Sequence, residues 1–88
     1  MLSRNFIIKN RLGLHARAAA QLVQTANQFA AEVTLIKEGI EVNGKSIMGI
    51  LLLAAPKGTE VAVNVDGSDE DQAMLAIAQL IEDGFGED

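Results

Sequence analysis

The chain has 88 residues, 49% of them apolar, a formal net charge of −5 and no cysteine. An acidic chain with three phenylalanines and neither tyrosine nor tryptophan lacks the clustered cations and stacking rings that nucleic-acid binding needs. No disulfide framework or thiolate metal site is available, and a single small domain over residues 1–88, with a core of Ala, Leu, Ile and Val, is expected.

Phe6 and Ile8, two positions apart, predict a first strand from about Ser3 to Lys9, ended by the turn Asn10-Arg11-Leu12-Gly13. The alanine-rich stretch Ala16 to Ala31 reads as helix. Ala19, Leu22, Val23, Ala26 and Phe29 recur at helical spacing, while Gln21, Gln24, Thr25 and Gln28 take the wet face. Strand is expected over Glu32 to Lys37 and again over Ile40 to Val42, joined by a tight Glu38-Gly39 turn. Ser46 to Ala55 is apolar on nearly every side and stops at Pro56-Lys57-Gly58, which predicts a short, mostly covered helix.

Thr59 to Val65 alternates as a strand with Val61, Val63 and Val65 on one face. The last helix is expected from Asp69 to Asp83. Ser68 to Asp71 matches a capping box, Ala73, Ile77, Leu80 and Ile81 form the stripe, and Gly84 suits a left-handed C-cap with Phe85 folding back. The Glu87-Asp88 tail reads as solvated. The order β-α-β-β-α-β-α points to an α+β fold, with helices on one face of an antiparallel sheet in split βαβ style. The longest apolar run, Ile47 to Ala55, is far short of the ~20 residues a spanning helix requires, and no secretory leader pattern opens the chain. A cytoplasmic protein without membrane insertion is expected.

His15 is the only histidine. A solitary histidine in a small domain is more often a surface or structural residue, but the context of this one is unusual. Helices generally begin on Ser, Thr, Asp or Asn, whereas Gly13, Leu14 and His15 precede this helix, so its first N–H groups are left for a ligand. Imidazole is a nucleophile at physiological pH, the helix dipole favours an anion, and the Arg17 guanidinium can grip phosphate oxygens in a bidentate manner. His15 and Arg17 are therefore the candidate catalytic pair, with Ala16 and Arg17 binding phosphate. One histidine with no carboxylate near it in sequence cannot assemble a zinc or magnesium site, so neither metal nor cofactor is expected.

Gly39 to Ser46 formally satisfies the P-loop pattern, but Ile40-Glu41-Val42 alternates like a strand and the chain has no room for a nucleotide-binding domain. Ser46 is placed as the N-cap of the second helix, where a phosphate is tolerated by the dipole and would add charge to a surface. Ile47, Met48, Leu51 and Leu52 exceed what one buried stripe needs and are candidates for partner docking as well as for core.

Gly13-Leu14-His15-Ala16-Arg17 and Lys45-Ser46-Ile47-Met48-Gly49 resemble the two signature segments of the HPr family, the histidine-containing phosphocarriers of the bacterial phosphoenolpyruvate-dependent phosphotransferase system. The resemblance covers essentially the whole chain. It implies an open-faced β-sandwich, a four-stranded antiparallel sheet with three helices on one face. It also implies a monomeric, stoichiometric carrier rather than a turnover enzyme. His15 would take a phosphoryl group from phosphorylated enzyme I and pass it to an EIIA domain, with Arg17 stabilising the phosphate. Ser46 resembles the regulatory site of HPr kinase/phosphorylase. Ala18 stands where many members have proline, and Leu12 where many have a small polar residue. With the apolar run Ile50 to Ala55, these differences bring the chain near NPr, the nitrogen-branch paralogue, while the serine segment favours HPr. A reading of another class is a small split-βαβ regulatory or ligand-binding module in which His15 and Ser46 are structural.

Overall fold

A computed structural model describes residues 1–87. The elements are β1 (Leu2–Ile7), α1 (Ala16–Ala26), β2 (Glu32–Lys37), β3 (Ile40–Asn43), α2 (Ile47–Leu53), β4 (Glu60–Asp66) and α3 (Glu70–Glu82), followed by a short 3-10 turn over Gly84–Gly86. The strands form one antiparallel sheet in the order β1-β4-β2-β3. β4 thus lies between β1 and β2, which run parallel to each other on either side of it. This is the split βαβ arrangement, and the expected α+β order is present.

Side chains alternate across a strand, so one sheet face can be apolar and the other polar. Val61, Val63 and Val65 of β4, Val33 and Leu35 of β2 and Phe6 of β1 are buried beneath the helices. The other face is open, where Ser3 Oγ donates to Asn64 Oδ1 at 2.6 Å across β1 and β4. α1 packs against both α2 and α3. Its buried positions include Ala18, Ala19 and Ala26, whose small side chains let the neighbouring helices approach, while Leu22 fills the space between. No helix among the described residues is long and apolar enough to cross a membrane.

Several expectations need correction. β1 spans Leu2–Ile7 instead of reaching Lys9, although Ile8 is still buried. α1 ends at Ala26, not Ala31. Ala30 and Ala31 are good helix formers, but both of their N–H groups are taken by the Asp69 carboxylate, at 2.8 and 2.9 Å. Gly67 lets this junction close, since a Cβ there would fall 2.5 Å from Ala31 Cα. The capping box at Ser68 to Asp71 does not form either. Asp69 is the N-cap of α3 without capping it through its side chain, and Glu70 accepts from Gly67 N–H instead. Gly84 is left-handed as expected, and Phe85 is buried.

The second helix is shorter than Ser46 to Ala55 and less covered. Ile50 and Leu53 point into the core, whereas Ile47, Met48, Leu51 and Leu52 are exposed. Lys37 Nζ donates to the Leu53 and Ala54 carbonyls, both at 3.1 Å, closing the negative end of α2.

Two outcomes follow from this packing. Leu53 is 2% exposed and its neighbour Leu52 76%. Urea unfolding should therefore show Leu53→Ala costing about 2–5 kcal/mol and Leu52→Ala less than about 0.5 kcal/mol. The Asp69 latch predicts a pH dependence. The Ala30 N–H bond, helped by that of Ala31 and opposed by desolvation, holds the Asp69 carboxyl below its ordinary range. A depressed carboxyl stabilises the fold above that range and loses its contribution as the pH falls through it. Thermal melts should show Asp69→Ala less stable than wild type at neutral pH, with the gap beginning to narrow as the pH falls to about 4, the ordinary aspartate value, and closing further below it.

Candidate functional site

The chain leaves β1 through a loop whose shape depends on Asn10, the one buried polar residue among those described. Asn10 Nδ2 donates to the Gly13 carbonyl at 2.7 Å, and Gly13 N–H returns a bond to the Asn10 carbonyl at 3.1 Å. Gly13 has φ +69 and lies so close to Pro56 and the Ala55 carbonyl that a Cβ would fall 2.6 Å from that oxygen. Leu14 N–H then donates to the Ala55 carbonyl at 2.9 Å. Glycine is required there for both reasons, and the contact ties the loop to the segment after α2.

His15 follows as the N-cap of α1, extended at φ −83 and ψ −177, and its side chain makes no capping bond. Its carbonyl accepts from Ala19 N–H at 2.8 Å, so the helix starts directly behind the ring. The first N–H groups of α1 have no carbonyl of their own helix to bond, and no acidic side chain sits in that first turn. His15, Ala16 and Arg17 line one open cleft with Arg11, Leu12, Gly86 and Glu87. Among the described residues, no carboxylate oxygen lies within 4 Å of the Arg17 or Arg11 guanidinium. An anion entering the cleft would thus meet two arginines and a helix N-terminus.

The tail completes this site, contrary to the expectation that it is solvated. Glu87 Oε2 lies 2.5 Å from His15 Nε2, and Oε1 accepts from Asn10 Nδ2 at 3.0 Å. Its side chain is only 14% exposed, against 28% for His15. The Asn10 bond, opposed by desolvation and supported by His15 and Arg17, lowers the Glu87 carboxyl from its ordinary range. Asp88, the other residue of that expected solvated tail, lies outside the described residues. Asn10 and Glu87 were not singled out from the sequence as site residues. The signal was the Gly84-Phe85-Gly86 segment, because a buried Phe85 obliges the residues after it to return to the body.

Ser46 stands apart from this cleft. It is extended at φ −120 and ψ 116, and its Oγ accepts from Gly49 N–H at 3.1 Å, as an N-cap should. α2 has its C-terminal end near the His15 loop, so Ser46 is removed from that end by a helix about 10 Å long. Gly49 brings α2 close to β3, where a Cβ would sit 3.3 Å from Val42 Cβ. Lys45 is no phosphate ligand of a P-loop: Ile40–Asn43 is strand, and Lys45 Nζ donates to the Phe29 carbonyl at 2.8 Å. The exposed Ile47, Met48, Leu51 and Leu52 lie on α2. Leu12 adds a further exposed leucine at the rim of the His15 cleft.

The family model described as the PTS HPr component phosphorylation site matches residues 2–83. The chain belongs to the HPr family. It is 53% identical over 88 residues to the phosphocarrier protein HPr of Xylella fastidiosa, covering all of this chain and 99% of that one. Its fold matches the crystal structure of HPr-C-His from Thermoanaerobacter tengcongensis with a TM-score of 0.97, at 44% identity over 100% of this chain and 99% of that one. A crystal structure of an HPr dimer from the same organism matches with a TM-score of 0.80, at 45% identity over 99% of this chain and 100% of that one. As an HPr-family phosphocarrier the chain has the open-faced, four-stranded architecture that its motifs implied.

The cap geometry predicts that Ser46→Ala, which removes the acceptor for Gly49 N–H, lowers stability by about 1 kcal/mol in denaturant unfolding.

Proposed function

We propose that this HPr domain carries a phosphoryl group on His15, taking it from phosphorylated enzyme I and passing it to an EIIA domain of the sugar phosphotransferase system. One observation carries the reading. The only histidine stands at an uncapped helix N-terminus, in an open cleft that it shares with Arg17. In the transfer a ring nitrogen lone pair forms a bond to phosphorus as the bond to the donor breaks, and the electron pair of that bond leaves with the donor atom. The reverse balance holds on delivery. The loose transition state asks mainly for positioning and charge stabilisation. The amides of Ala16 and Arg17 and the Arg17 guanidinium supply both. An open cleft also lets two different partners reach the same phosphate in turn.

Ile47, Met48, Leu51 and Leu52 serve as the docking surface for these partners, continued toward the cleft by Leu12. Covering these exposed side chains with a partner removes apolar surface from water, which favours association. Ser46 is a regulatory phosphorylation site for HPr kinase/phosphorylase. A phosphate there sits favourably at the start of α2 but puts negative charge beside exposed Ile47 and Met48, which opposes docking without melting the helix. The carrier works as a single-domain cytoplasmic monomer and is consumed and regenerated stoichiometrically. The Lys45-Ser46-Ile47-Met48-Gly49 segment favours this sugar branch over the nitrogen branch.

Incubated with enzyme I and labelled phosphoenolpyruvate, the wild-type protein should acquire acid-labile label, and His15→Ala should acquire none. Acid-labile label retained by the variant would remove His15 as the carrier.

A further inference from the structure

The contact between Glu87 and His15 has no counterpart in the reading above, which needs only a histidine, an anion site and an arginine. A merely solvated tail would not need the backbone built here. Gly84, Phe85 and Gly86 are all left-handed, with φ 63, 57 and 72, and curl the chain back on itself. Phe85 is buried as the anchor, and Glu87 N–H closes the turn on the Gly84 carbonyl at 3.0 Å. A non-glycine residue in the left-handed region is strained, so burial of the ring holds this bend. The bend delivers one carboxylate oxygen to Asn10 and the other to the ring.

An ionised carboxylate can only accept hydrogen bonds. Asn10 favours the ionised form of Glu87 by donating to it. The hydrogen shared between Glu87 and the ring therefore belongs to Nε2, and the unprotonated nitrogen is Nδ1. Among the described residues Nδ1 has no hydrogen-bond partner. The charged groups sharing the cleft with the ring are Glu87 in the tail, Arg17 in α1 and Arg11 in the preceding loop, and of these only Glu87 is bonded to it.

We propose that Glu87 is a positioning residue for phosphoryl transfer, its carboxylate holding the ring proton on Nε2 and offsetting the positive charge that the ring acquires as phosphorus bonds to Nδ1. The inference rests on the carrier reading of His15. As the Nδ1–P bond forms and the donor's bond to phosphorus breaks, Nε2 keeps its proton and the ring becomes cationic. Glu87 lies against that charge without occupying the position of the phosphate. On delivery the Nδ1–P bond breaks, its electron pair returns to Nδ1, and the ring is again neutral with Nε2 protonated. The same logic orients a histidine by a carboxylate in hydrolytic triads. Here it acts on a nitrogen that is itself the nucleophile.

Ring-nitrogen NMR of wild type, Glu87→Gln and Glu87→Asp, before and after loading with enzyme I and phosphoenolpyruvate, tests this together with the rate of uptake. Gln keeps the volume of the side chain and removes its charge. The unphosphorylated wild type should carry its proton on Nε2. In the phosphorylated proteins Nε2 should lose its proton about one pH unit lower in Glu87→Gln than in wild type. Uptake by that variant should fall about tenfold, the rate equivalent of the same stabilisation. Glu87→Asp, which retains the carboxylate, should recover part of both. A wild-type proton on Nδ1, or a Gln variant with the wild-type midpoint and rate, overturns the role of Glu87 while leaving the carrier reading intact. Wild type that takes no acid-labile phosphate overturns the carrier reading and this role together.

Discussion

Everything at the functional end of this molecule depends on β4 lying between β1 and β2. With Val61, Val63 and Val65 buried on one face, β4 bonds to a strand on each side and provides the surface on which the helices lie. Its placement brings the exit of β1 alongside the residues that lead into β4. There Ile8 N–H donates to the Thr59 carbonyl at 2.9 Å, and the Ile8 carbonyl accepts from Gly58 N–H at 2.8 Å. The loop bearing His15 is thus pinned to the segment after α2, through Leu14 and Ala55, before α1 begins. A strand order without this insertion would leave the histidine on an unsupported connection.

The site is assembled by a small number of polar contacts against a nearly all-aliphatic core. Buried polar groups are costly unless hydrogen-bonded, which makes a solitary one a strong specifier of geometry. Asn10 has this role, using its amide hydrogens on Gly13 and on Glu87 and so coupling the loop to the tail. Lys37, Lys45 and Asp69 act likewise at a distance from the cleft. Each reaches backbone groups left open at the end of a helix or turn, in exchange for a bond to water. Side chains that a sequence reading would assign to solvent therefore hold the helices in place.

Much of the architecture was legible from periodicity. β2 at Glu32–Lys37 and the valine face of β4 follow the alternation directly, because a half-buried strand must repeat every second residue. The His15 and Ser46 segments were legible for a different reason: a helix start without a capping side chain is locally anomalous, while a serine before an apolar helix is locally ordinary. The misplaced end of α1 and the missing capping box share one cause. Ala30 and Ala31 favour helix by propensity, and Ser68 to Asp71 reads as a cap by spacing, but the Asp69 carboxylate joins the two regions across the fold. Local rules cannot register a partner more than thirty residues away.

The sequence alone determined which segments alternate, which helix has an apolar stripe, and that the single histidine meets a helix start beside Arg17, since these depend on residue order and near neighbours. Tertiary structure decided the order of strands in the sheet, which leucines of α2 face solvent, and the return of Glu87 to His15. The last of these depends on Phe85 finding a place in the core and on Asn10 being buried with its amide turned to Glu87, conditions that exist only once distant segments have packed together.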